Sequence, residues 1–243
     1  MEVLELFWYD HALFFLTAVV IPFISVMARP LPDSINEESA DYQVLPPKKH
    51  LYYQNGLVLI IGALLVLTAW NAANRKWSAI GFDWIQMNAV VVVSAMILCA
   101  FYLVDLFHSF YHKGATQEKL KDLQQILPLN WKEYRHYIFL ALAAGICEEI
   151  VFRGFLINYL NTLLVDLDYS NMYAIAIPAV TFGFSHWYQG KSAVLKIMFI
   201  SLLFGVIFVW SGSLYLIMVI HVAIDLLSGL SGMWINKDAG ENE

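Results

Sequence analysis

The chain has 243 residues, of which 60% are hydrophobic and only 14% are charged, and its formal net charge is −6. A soluble domain is about 45–50% apolar and about 25% charged, so this composition argues against a soluble enzyme and against a disordered chain. The net negative charge argues against nucleic-acid binding, which relies on basic surfaces. With a mean hydropathy of +0.61, the sequence is that of an all-α integral membrane protein.

Seven segments are apolar over roughly the length that a bilayer-spanning helix needs, which is about 20 residues. The fifth segment is the shortest of them. Together they predict a polytopic transmembrane helix bundle of about seven spans, with residues 1–243 forming a single integral membrane domain. In chain order, the predicted spans are residues 6–27, 51–70, 88–111, 137–164, 172–187, 193–210 and 214–233.

The positions of the basic residues predict how the bundle is oriented, because Lys and Arg are enriched in cytoplasmic loops. Arg153 lies inside a predicted span, and Arg75 and Lys76 lie in the second loop. All other Lys and Arg residues fall in the first, third and fifth loops or in the C-terminal tail, with Lys196, at the start of the sixth span, counted with the fifth loop. This distribution, together with an odd number of spans, predicts an N-terminus outside and a C-terminus in the cytosol.

The fourth predicted span carries three charged residues near its middle, Glu148, Glu149 and Arg153. A charged side chain inside a membrane is energetically costly and usually marks function. Glu149 and Arg153 are four residues apart, so they share a helix face and are expected to pair. Glu148 is rotated from them by about 100° and has no such partner on its own helix. Glu148 is therefore a candidate proton acceptor and donor, and packing between helices is the alternative role for these charges.

Two further spans contribute ionisable side chains. In the fifth span, His186 follows Phe182 by four residues, and in the seventh, His221 and Asp225 are four apart and share a face. If these faces converge, Glu148, His186 and His221 surround one water molecule, which is the equipment for hydrolysis. A carboxylate with two imidazoles is also a plausible set of zinc ligands.

At these residues the sequence resembles the CAAX protease and bacteriocin-processing family of intramembrane proteases, also called the CPBP or Abi family. Each of the family's three motifs is weak by itself, but all three occur here in order along the chain. The resemblance covers residues 134–231, which form the expected catalytic core. The motif Glu-Glu-x-x-x-Arg matches Glu148, Glu149 and Arg153; Phe-x-x-x-His matches Phe182 and His186; His-x-x-x-Asn or Asp matches His221 and Asp225.

The resemblance implies an all-helical membrane endopeptidase of the CAAX-protease type, whose eukaryotic members remove the last three residues of prenylated proteins. It implies that Glu148 activates the water with help from His186, and that His221 and Asp225 stabilise the developing oxyanion. Asp225 stands where the eukaryotic members usually have Asn, and an ionised carboxylate cannot donate to an oxyanion. The alternative role for Asp225 is to orient His221.

The resemblance leaves the cofactor open, because the family has been described both as metalloproteases and as glutamate proteases without metal. The cofactor is therefore either none or a divalent metal such as zinc, for which Glu148, His186 and His221 are the possible ligands. The metal-free mechanism is favoured, since the chain has no His-Glu-x-x-His motif. The supporting residues, which set the geometry of the site, are Glu149, Arg153 and Phe182.

The expected substrate is a membrane-associated or prenylated protein or peptide, with the lipid bilayer as partner and no nucleic acid. The expected location is the plasma (inner) membrane if the chain is bacterial, with the active site open to the cytosol. One alternative is a non-catalytic immunity, scaffold or regulatory protein on the same fold. Another is a proton-coupled transporter or a haem-binding membrane protein, although the internal repeats typical of transporters are not evident.

Overall fold

The computed structural model describes residues 3–27, 47–111 and 126–237, and every regular element within those ranges is helical. The predicted all-helical fold is therefore confirmed, and helices occupy all seven predicted spans. The helices are α1 (Trp8–Met27), α2 (Lys48–Ala72), α3 (Trp77–Ile80), α4 (Ala89–Tyr111), α5 (Trp131–Glu149), α6 (Asn158–Leu163), α7 (Ser170–Ser185), α8 (Lys191–Ser211) and α9 (Leu214–Lys237).

The fourth predicted span is a single helical rod with a change of hydrogen-bond register in its middle. It begins at α5, where the Asn130 side chain caps the helix by accepting two backbone N–H groups. The rod continues through a π-helical segment, Ile150–Ile157, into α6. All eight residues of this segment are buried. Such π-helical turns occur frequently at functional sites, and this one begins directly after Glu149.

Five helices are long and apolar enough to cross a membrane, namely α1, α2, α4, α8 and α9. The α7 helix has 16 residues, which gives a length of about 24 Å against a bilayer core of about 30 Å. The rod formed by α5, the π-helical segment and α6 carries the three charged residues of the fourth span. The length and composition of these helices are those of an integral membrane protein. The number of seven crossings and the side of the membrane on which each terminus lies stay predictions.

Contacts at the helix termini show which of them lie at the same end of the bundle. The starts of α2 and α5 are joined by an ion pair, Lys48 Nζ to Glu133 Oε2 at 3.2 Å. The ends of α1 and α7 meet where the Ser25 hydroxyl donates to the Ser185 carbonyl at 2.8 Å. An ion pair between Lys196 and Asp105 joins the start of α8 to α4 near its last turn. The end of the bundle where α2, α5 and α8 begin is called the basic end below.

The opposite end of the bundle is held by a second set of contacts. Arg75, in the loop after α2, forms an ion pair with Asp10 of α1 at 2.6 Å, and both side chains are buried. The Leu214 N–H, at the start of α9, donates to the Gly81 carbonyl at 2.8 Å. The loop between α2 and α4 therefore lies beside the first turns of α1 and α9, as expected for helices that alternate in direction.

The larger apolar core surrounds the π-helical segment, so the middle of the rod is packed on all sides. A smaller cluster joins α2, α5 and α9 near the basic end; its members are Tyr52, Tyr134, Tyr137, Ala141 and Met233. These two clusters fix the rod against α9, which carries the other candidate site residues.

The close packing of α5 and α9 depends on Gly145. A Cβ atom at this position would lie 2.5 Å from Val222 Cγ2 and 2.7 Å from the Val222 backbone nitrogen. Small residues at such crossings allow the backbones of membrane helices to approach. Val222 follows His221 directly, so the absence of a side chain at Gly145 sets the distance between the Glu148–Glu149 pair and His221.

Replacement of Gly145 by Ala is expected to push α9 away from α5 and to lower the free energy of unfolding by about 1–3 kcal/mol, as overpacking does. Gly62→Ala is the matched control, because Gly62 also lies inside a helix but a Cβ there meets nothing within 4 Å. That control should be neutral or stabilising by up to about 1 kcal/mol. Unfolding in detergent measures both, and equal stability of the two variants would contradict the role given to Gly145.

Candidate active site

The innermost part of the site is a buried ion pair on the fourth span. Arg153 Nη1 donates to Glu149 Oε1 at 2.8 Å, and the side chains are 1% and 0% exposed. This pairing, expected from the four-residue spacing, is confirmed. A second contact comes from α8, where the Ser201 hydroxyl accepts from Arg153 Nη2 at 2.9 Å. The guanidinium is therefore held from two helices.

Two aromatic rings from different helices pack against the Arg153 guanidinium. Its central carbon lies 4.8 Å from the centre of the Phe182 ring of α7 and 5.1 Å from that of Phe204 of α8. Both distances are within the range of cation–π attraction. Phe182, a predicted supporting residue, thus contributes through its ring face, and the packing leaves the cation little freedom to move.

A carboxylate of the fourth span fixes the orientation of the His221 side chain of α9. Its Nδ1 lies 2.7 Å from Glu149 Oε1, so this nitrogen donates to a carboxylate that also accepts from Arg153. Its Nε2 lies 3.8 Å from Glu148 Oε2 and 3.8 Å from Asp225 Oδ2. Glu149 therefore makes the hydrogen bond that orients the imidazole, while Glu148 and Asp225 flank its other nitrogen at ion-pair distance.

His186 directly follows α7 and enters the site from the side of Phe182. Its Nδ1 donates to the Phe182 carbonyl at 2.8 Å, which leaves Nε2 as the nitrogen available for other partners. The Phe182 ring is 4.6 Å from the His186 ring and 6.3 Å from the His221 ring, so it contacts both imidazoles. His186 also interacts electrostatically with His221 and Asp225.

Exposure divides these groups into an inner and an outer layer. Glu149 is 0% exposed, whereas the side chains of Glu148 and Asp225 are 12% and 26% exposed, and that of His221 is 11% exposed. The inner layer has no route to a ligand because it is enclosed. The outer layer consists of two carboxylates and an imidazole that remain partly accessible, and His186 directly follows α7 beside them.

The possible metal set of Glu148, His186 and His221 is not assembled as a ligand group in this structure. Zinc ligands surround the ion tetrahedrally at about 2.0–2.2 Å, which brings their donor atoms close to one another. Among the residues that the structure describes, no three His, Cys, Asp or Glu side chains are arranged to hold a metal ion. The Nδ1 of His221 is directed to Glu149, so Nε2 is the nitrogen of this residue that could donate to a metal.

The model of the type II CAAX prenyl endopeptidase Rce1-like family matches residues 130–227. Residues 130–227 are therefore similar to that family, and this segment is called the Rce1-like domain below. The match confirms the resemblance to the CAAX protease family, and it includes every predicted site residue from Glu148 to Asp225. The Rce1-like domain implies protease activity in a membrane and a peptide substrate. The chain matches no curated protein and no solved structure.

The structure adds residues of the Rce1-like domain that the sequence did not single out. Tyr137 of α5 donates to the Asp225 carbonyl at 3.2 Å and so ties α9 to α5 one turn beyond His221. Ser201 and Phe204 of α8 contact Arg153, as described above. The only available signal for Ser201 was a hydroxyl inside an apolar span, which is common in membrane helices and therefore uninformative.

The contact between Ser201 and Arg153 predicts a measurable loss of stability in Ser201→Ala. Ser201 is 2% exposed, so no water replaces the missing acceptor. We expect the free energy of unfolding to fall by about 1–2 kcal/mol, the range for such hydrogen bonds within membranes. Ser94→Ala is the control, because Ser94 is also buried but lies in α4, away from the guanidinium. An equal loss in both variants would contradict this prediction.

Proposed function

We propose that the protein is an intramembrane endopeptidase in which Glu148 activates the attacking water. The observation that carries this proposal is the separation of roles between neighbouring carboxylates. Glu149 is enclosed and committed to Arg153 and His221, whereas Glu148 is partly exposed and its nearest ionic partner, His221 Nε2, lies 3.8 Å away. A base that must accept and return a proton needs that accessibility.

In the proposed reaction, Glu148 takes a proton from water while the water oxygen attacks the carbonyl carbon of the scissile peptide. His186 assists by holding the water with Nε2, since its Nδ1 is engaged by the Phe182 carbonyl. The carbonyl oxygen becomes an oxyanion as the tetrahedral intermediate forms. Glu148 then returns the proton to the leaving nitrogen, the carbon–nitrogen bond breaks, and a carboxylic acid and an amine are released.

His221 is the proposed donor to the oxyanion. In its protonated form it donates from Nδ1 to Glu149 and keeps its Nε2–H for the substrate. Preorganised donors of this kind supply a large part of catalysis in acyl transfer, because they need no reorganisation during the reaction. Asp225, at 3.8 Å from the same nitrogen, stabilises the protonated ring and does not donate to the oxyanion.

The proposed substrate is a membrane-attached or prenylated peptide that approaches from the cytosol. The site is proposed to open toward the basic end of the bundle, which the distribution of Lys and Arg predicts to be the cytosolic side. An apolar anchor on the substrate would remain in the bilayer while the peptide reaches Glu148. No feature of the described residues favours the immunity-protein or transporter alternatives over this one.

The test is cleavage in proteoliposomes that contain the full chain. A prenylated CAAX peptide and the same peptide without the prenyl group are offered, and mass spectrometry identifies the bond that is cut. We expect release of the C-terminal tripeptide from the prenylated peptide, and slower cleavage of the other. Absence of cleavage of both peptides by correctly folded protein would contradict the proposed substrate class and favour a non-catalytic role.

A further inference from the structure

A cleft of about 370 Å³ lies at the basic end, lined by Lys132, Arg135 and His136. Lys132 and Arg135 lie on the first turns of α5 and are exposed, so their charges face the cleft and solvent. The nearby carboxylate of Glu133 does not cancel them, because it is paired with Lys48 at 3.2 Å and accepts the Leu129 N–H. The cleft is therefore a concentration of positive charge.

The surroundings of the cleft are those of a membrane interface. Trp131, beside it, is 63% exposed, and Tyr53 of α2 places its hydroxyl 3.1 Å from His136 Nδ1. Exposed Trp and Tyr side chains are typical of the headgroup level of a bilayer. The positive cleft thus lies where a phospholipid headgroup would be found.

Further along α5 from the cleft, the helix face that carries Arg135 is apolar and exposed. Leu142 and Ile146 are seven and eleven residues after Arg135, which puts each of them within about 20° of Arg135 around the helix. Their exposed fractions are 43% and 41%. Leu142 lies about 10 Å further along the axis than Arg135. A free phosphate would use only the cleft, whereas a lipid would use the cleft and this apolar face together.

We propose that the cleft binds the phosphate of an anionic phospholipid, whose acyl chains lie along the exposed face of α5. The cleft is separate from the peptidase site. His136 precedes Glu148 by twelve residues, or about 18 Å along the helix, whereas a three-residue leaving peptide extends at most about 10 Å. The cleft therefore does not hold the C-terminal carboxylate of a tripeptide, and lipid binding here is independent of the proposed function.

The test is lipid binding by the full chain in detergent, followed by native mass spectrometry during titration with phosphatidylglycerol or phosphatidylcholine. We expect tighter binding of phosphatidylglycerol. Arg135→Gln should weaken that binding about fivefold, the effect of one interfacial basic residue, and leave phosphatidylcholine unchanged. Lys191→Gln is the matched control, since Lys191 is exposed at the start of α8 and does not line this cleft.

Three results would overturn the proposal. If Arg135→Gln binds phosphatidylglycerol as tightly as the parent does, the cleft is not the binding site. An equal loss in Lys191→Gln would show a general effect of charge on the whole surface. Displacement of the lipid by inorganic phosphate in the millimolar range would assign the cleft to a soluble anion. Protease activity enters none of these readouts, so failure here leaves the proposed function untouched.

Discussion

Replacement of Glu148 by Gln is expected to lower kcat by about 10²–10⁴-fold, the usual contribution of a general base, while KM changes little. The amide has nearly the same size as the carboxylate, so the packing around His221 should be kept. It cannot take a proton from water, however, and the chemical step loses its base. The measurement is steady-state cleavage of the prenylated peptide in proteoliposomes, together with the unfolding midpoint of the variant.

Glu5→Gln is the matched control, because Glu5 is an exposed carboxylate before α1, at the opposite end of the bundle. It should leave both kcat and KM unchanged. Retention of kcat within a factor of three in Glu148→Gln would show that another group activates the water. A large loss of stability in Glu148→Gln would instead assign the carboxylate to packing, the alternative that the sequence left open.

The helices could be predicted from the sequence because a membrane imposes a simple rule on composition. A helix that crosses hydrocarbon must be apolar over its whole length, so hydropathy locates it within a few residues. The third span, predicted at residues 88–111, is observed as Ala89–Tyr111. The π-helical segment was not predictable, because a shift of backbone hydrogen bonding from i→i+4 to i→i+5 has no signature in composition.

Contacts between site residues on the same helix could be predicted from the sequence. Contacts between site residues on different helices could not. The pairing of Glu149 with Arg153 follows from spacing alone. The hydrogen bond from His221 to Glu149 does not follow from spacing, since it requires α5 and α9 to cross closely at Gly145. The sequence offered Asp225 as one possible orienting residue for His221 and gave no sign of Glu149 in that role. The contact of Ser201 with Arg153 likewise needs the position of α8, which no motif in this chain specifies.

The second large effect is expected for the buried ion pair. Arg153→Met replaces the guanidinium with an uncharged side chain and leaves Glu149 enclosed, with only His221, at 2.7 Å, as a partner for its carboxylate. Removal of one partner from a buried pair destabilises proteins by about 3–5 kcal/mol, because an uncompensated charge stays buried. We therefore expect Arg153→Met to unfold at a much lower denaturant concentration than the parent. Adding Glu149→Gln should recover much of that loss, because the double variant buries no unpaired charge.

The recovery of stability should not restore catalysis, and this separates the two roles of the pair. In the double variant, His221 loses the carboxylate that fixes its Nδ1, so kcat stays low although the protein folds. Arg75→Met is the matched control, since Arg75 forms a buried ion pair with Asp10 at the opposite end, at 2.6 Å. It should lower stability and leave the kcat of the folded protein unchanged. A double variant with parental kcat would mean that Glu149 and Arg153 only hold the helices together, and that His221 needs no partner from the fourth span.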